Sequence, residues 1–148
     1  MKTSKHLLIL FLILNSLQVI SQIKNVEFTK ENFPEKKKEM KEAVKQIETG
    51  DNYFVEYGTM KIAYKLALPF YQDAYRFNPN NAKLNFKVGE CYLLGSHDKT
   101  NSLSYFLKAY ELDPRVDPKI FFRIAEGYHM KAEWDKALNE YKKYQKTI

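Results

Sequence analysis

Asp73-Ala74-Tyr75-Arg76-Phe77-Asn78-Pro79 reads DAYRFNP, and 35 residues later Lys108-Ala109-Tyr110-Glu111-Leu112-Asp113-Pro114 reads KAYELDP. Each copy ends a helix: aromatic and apolar residues, then Asn or Asp, then a proline that cannot continue the helix and biases the residue before it away from helical geometry. A period of this length marks a repeat fold, in which no unit buries its apolar face alone. Working upstream from each copy, Ala67, Ser102 and Ala137 share the same spacing, as do Tyr71, Phe106 and Tyr141. Small residues let two helices approach, and the aromatic a turn later fills the groove beside them.

The helical pattern extends in both directions. It starts at Asn32, with Pro34 near the first turn, and runs through a charged stretch, Glu35 to Glu48, around Met40, Ala43, Val44 and Ile47. A second helix is expected from Thr59 to Phe77, kinked or divided by Pro69 because proline frees the carbonyl of Lys65. Ala82 to Leu94 and Lys99 to Leu112 form the next pair, and Lys119 to Met130 with Trp134 to Lys146 the last. No strand signal of any strength occurs, so the fold class is all-α, six helices in three hairpins. The units are 32–80, 81–116 and 117–148, preceded by an extended leader over 22–31. The last unit stops at Lys146-Thr147-Ile148 without an Asn-Pro ending, which reads as truncation or as a face that a partner covers.

Ahead of the leader, Lys2, Lys5 and His6 precede eight unbroken apolar residues, Leu7 to Leu14, and Val19 and Ser21 are small enough to flank a cut. Residues 1–21 therefore read as a secretory signal peptide. A membrane anchor is the weaker reading, because Asn15, Ser16 and Gln18 break the run short of ~20 spanning residues. Export points to a bacterial periplasm. With those residues removed, the chain keeps a surplus of four basic groups. Export makes nucleic acid an improbable partner for that charge. Cys91, the single cysteine, permits no internal disulfide and reads as a buried small residue.

Val88-Gly89 followed by Tyr92, Ile124-Ala125 followed by Tyr128, and more weakly Gly50 with Tyr53, add a first-helix signature. Together these residues resemble the tetratricopeptide repeat over 43–148. The resemblance implies a right-handed helical solenoid of three helix–turn–helix units. Departures are the long interval from Tyr53 to Ala67, Ser102 in place of alanine, and Pro69. A generic helical bundle is the plainer alternative. More narrowly, NPNNAKLNFKVGECYL (78–93), DKTNSLSYFLKAYELDP (98–114) and YHMKAEWDKALNEYKKY (128–144) look like the amino-terminal module of Bacteroidetes envelope proteins. In that family repeats precede a β-propeller and an OmpA-like peptidoglycan-binding domain, and some members serve gliding or type IX secretion machinery. The resemblance implies an outer-membrane-associated envelope location, without transferring peptidoglycan binding to this chain.

Catalytic chemistry finds no support. His6, His97 and His129 form no His-x-x-x-His pair, and no carboxylate cluster has ligand spacing, so no metal site is expected. There is no phosphate loop and no nucleophile elbow, and no cofactor is implied.

In the resembling family the first helices line a concave groove. Lys83, Phe86, Lys87, Glu90 and Leu93 would share that face in the second unit, and Lys119, Phe122, Arg123, Glu126 and His129 in the third. That gives a cationic, aromatic-lined groove for a protein partner, an acidic or extended peptide. Lys119 and Arg123 match two basic positions of the family's carboxylate clamp, whereas Ile47 and Asp51 do not. The plainer alternative pairs Lys87 with Glu90 and Arg123 with Glu126 within their helices, leaving a solvated face. The functional expectation is a non-catalytic protein-interaction module of the cell envelope. Its alternative is a structural spacer packed against neighbouring domains with no groove ligand.

Overall fold

The computed structural model describes residues 24–148; the expected signal peptide (1–21) and the first two leader residues lie outside the described residues. Among the described residues six α-helices follow one another: α1 (Lys37–Tyr57), α2 (Lys61–Phe77), α3 (Ala82–Glu90), α4 (Ser102–Leu112), α5 (Ile120–Met130) and α6 (Trp134–Gln145). A π-helical turn, Cys91–Gly95, extends α3, and a 3-10 turn, Lys99–Asn101, leads into α4. No strand occurs among the described residues. The all-α expectation therefore holds, and its helix limits lie within a few residues of those observed, except in α1.

Helix α1 differs at both ends. It begins at Lys37 rather than Asn32, because side chains upstream offer the backbone other partners. Asn32 donates from its side chain to the Glu27 carbonyl and from its backbone to Thr29 Oγ1. Phe33 then packs on Phe77, with ring centroids 4.8 Å apart. Downstream, α1 runs past Glu48 to Tyr57, burying Met40, Ala43 and Gly50 on one stripe. It stops at Gly58, whose φ of +58° suits glycine and whose N–H reaches the Phe54 carbonyl.

Pro69 does not divide α2, which is continuous. Both Pro69 and Lys65 are on the exposed side of the helix. The carbonyl that proline frees is thus available to water, and the buried side (Ala63, Tyr64, Ala67, Tyr71, Ala74) keeps its packing.

Packing follows chain order. Helix α1 pairs with α2, α3 with α4, and α5 with α6; α2 then meets α3 and its π-helical turn, and α4 meets α5. One core gathers Ala43, Tyr64, Ala67, Tyr71, Ala74, Leu84, Val88 and Cys91; a second gathers Phe86, Leu93, Leu103, Phe106, Ala109, Ile120 and Ile124. Helix α3 sits between the two and is buried on both sides. Leu84 and Val88 enter one core and Phe86 the other.

The leader is not free. Val26 donates its N–H to the Asn80 carbonyl at 2.7 Å, and its own carbonyl accepts from the side chains of Asn78 and Asn81. Asn81 also caps α3 through the Leu84 N–H. The Asn78-Pro79-Asn80-Asn81 turn therefore ends one helix, starts the next and holds the leader beside both.

Candidate functional site

Glycine at position 50 lets the Tyr71 ring lie against α1. A Cβ there would come within 2.5 Å of the ring. Seated this way, the Tyr71 hydroxyl donates to Asp51 Oδ1 at 2.5 Å. The same device recurs one unit on, where a Cβ on Gly89 would come within 2.6 Å of the Phe106 ring. The first helix of each of these hairpins thus carries a notch that its second helix fills with an aromatic.

Beside the first notch is a pocket of about 360 Å³, lined by Asp51, Phe54, Thr59, Tyr64, Tyr71, Lys87 and Glu90. Lys87 reaches across from α3 to pair with Asp51 Oδ1, and its ammonium stands 5.3 Å from the centre of the Tyr71 ring. Next to them Arg123 of α5 donates Nε and Nη2 to Glu90 Oε1, at 3.0 and 2.6 Å, and Nη1 to Glu126 Oε2 at 2.9 Å. The Arg123 side chain is only 13% exposed. The two interhelical pairs join residues 36 and 33 positions apart, so each ties a first helix to the next unit's first helix.

Burial raises the Glu90 carboxyl above its ordinary range, with Arg123 opposing the shift. Tyr71 is raised as well, by burial and then by its bond to Asp51. Cys91 is wholly buried and burial pushes its thiol up, so it is packing rather than a nucleophile. No group of three or more potential metal-ligating side chains occurs among the described residues. None of their helices is long and apolar enough to cross a membrane.

The eight expected groove residues are placed as follows. Lys87 and Glu90 line the pocket, and Arg123 and Glu126 join it through their network. Lys83 and Lys119 are exposed near the starts of α3 and α5 and do not line it. Phe86 departs from the expectation: it is 8% exposed and packs on Phe106 at 5.6 Å. Leu93 is likewise in the second core. Both residues face α4 because α3 is covered on both sides, leaving no aromatic of its own for a groove. Phe122 is half-buried against Tyr141 and Tyr144 of α6. His129 is exposed, with its ring edge-on to Trp134. The pairing also differs from the within-helix alternative. Lys87 bonds Asp51 rather than Glu90, while Arg123 keeps Glu126 and adds Glu90.

Sequence reasoning missed Phe54, Tyr64 and the role of Asp51. Asp51 follows Gly50, but Lys87 lies 36 residues beyond it, one more than the repeat period, so no spacing in the sequence joins the two. No family model matches this chain, and no curated protein matches it closely enough to identify a relative.

Proposed function

We propose that this chain is a non-catalytic protein-binding module of the tetratricopeptide type, three stacked units exported to the bacterial periplasm as part of an envelope assembly. The observation that carries the reading is the pocket built across three helices by residues of the repeat itself. The Gly50–Tyr71 notch sets one wall, and Lys87 and Glu90 of the next unit set the other. A pocket of this size falls within the ~300–1,000 Å³ typical of ligand sites. Its lining offers aromatic faces and charged groups rather than an acid–base pair beside a nucleophile.

Site-specific photo-crosslinking in the periplasm tests this. A benzoylphenylalanine at Thr59, on the pocket's rim, is expected to give a discrete protein adduct. The same probe at Glu111, exposed on α4, should give none. Equal labelling from the two positions, or none from Thr59, would count against the module. Export is tested by the mass of the mature chain, expected to begin at Gln22.

The spacer reading has one observation in its favour, the exposed Trp134 and Leu138 on α6. It requires adducts from Leu138 and none from Thr59.

A further inference from the structure

The cations of this site are committed and two of its acceptors are not. Lys87 is held by Asp51, and Arg123 by Glu90 and Glu126. Tyr71 and Lys87 both converge on Asp51 Oδ1, and both Arg123 donors to Glu90 converge on Oε1. Asp51 Oδ2 and Glu90 Oε2 therefore have no hydrogen-bond partner among the described residues. Among the side chains that line the pocket, two carboxylates, Asp51 and Glu90, face one cation, Lys87. The remaining pocket walls include the rings of Phe54, Tyr64 and Tyr71.

We propose that this pocket receives a basic side chain, arginine or lysine, from an extended segment of a partner protein. The inference rests on the protein-binding reading above and gives it a sign. A guanidinium or ammonium group would find aromatic faces for its charge and carboxylate oxygens for its N–H groups. An acidic side chain would have to draw Lys87 or Arg123 away from its present partner. Freeing Arg123 would leave Glu90, whose side chain is 23% exposed, uncompensated, which is costly, whereas the more exposed Lys87–Asp51 pair resists less. The exposed Lys83 and Lys119 lie outside the pocket lining and do not reverse this balance.

The test pans a phage-displayed random heptapeptide library on the immobilised mature chain, then measures synthetic copies of the enriched peptides by fluorescence anisotropy. Enriched peptides are expected to share an Arg or Lys, and replacing it with Gln should weaken binding about tenfold or more. The double variant Asp51→Asn with Glu90→Gln should lose that discrimination. Should this variant prove unstable on heating, Thr59→Arg decides instead. Thr59 is exposed on the α1–α2 connection, and a cation there would compete for the same acceptors. Enrichment of acidic or neutral peptides overturns the basic-ligand inference while leaving the binding module standing. Failure to enrich any peptide overturns both.

Discussion

Glu90 shows at the scale of one residue how burial and pairing compete. Its carboxylate is three-quarters or more removed from solvent and accepts two bonds from Arg123, yet burial wins and its proton affinity is raised. In the folded chain Glu90 thus takes up a proton at a higher pH than in the unfolded chain. Its contribution to stability is therefore fullest below the ordinary carboxylate value and is lost as pH rises through the raised one. Comparing thermal unfolding of the wild type with Glu90→Gln isolates this group. The difference is expected to shift in favour of the wild type as pH falls from about 7 to about 4. A difference that moves the other way would mean that the Arg123 bonds outweigh burial.

Element ends carry the next scale, and α5 ends in an uncommon way. The Glu133 N–H bonds the Tyr128 carbonyl at 3.0 Å, and the Ala132 N–H bonds the His129 carbonyl at 2.9 Å. This is the paired closing pattern that glycine usually completes. Here Ala132 adopts φ +58°, and its Cβ crowds the following carbonyl at a cost of ~1–2 kcal/mol. Part of that returns as lost chain entropy when glycine is substituted. Ala132→Gly should accordingly stabilise the protein by ~0.5–1 kcal/mol, measured by urea unfolding; a loss of stability would show that the strain is absent. At this scale much was legible in the sequence. The 35-residue spacing of Tyr71 and Phe106 located the second helices of the first two hairpins, whereas the glycines beneath them, Gly50 and Gly89, are 39 residues apart and share no such register. The direction of Phe86 was not legible. The apolar residues of α3 are divided between two cores, Leu84 and Val88 in one and Phe86 in the other, so no single stripe marks a buried face and Lys83, Lys87 and Glu90 fall between them. The Asp51–Lys87 pair was hidden for a related reason. Pairs within a helix recur at three or four residues, whereas this one depends on how one unit is set against the next. The docking of Val26 was equally unreadable, since it rests on backbone carbonyls and asparagine amides that carry no periodic signal.

For the whole molecule, the stacking makes equivalent residues unequal according to what lies beyond them. Leu103 and Leu138 stand 35 residues apart, at the same position of successive second helices. Gly127 of α5 comes so close that a Cβ there would lie 3.0 Å from both the Leu103 Cα and Cβ. That contact belongs to the interface between the second and third hairpins, and it helps leave Leu103 only 4% exposed. Leu138, on α6, is 53% exposed. If nearest-neighbour stacking supplies most of the stability, the same mutation must cost very different amounts at the two positions. Leu103→Ala should cost ~2–5 kcal/mol through lost burial and a cavity. Leu138→Ala should stay within ~0.5 kcal/mol, as surface changes generally do. Urea unfolding of the two variants reads the contrast directly. Equal costs would mean that α6 is covered in solution or that the second interface contributes little, and either result would break the stacked-hairpin account.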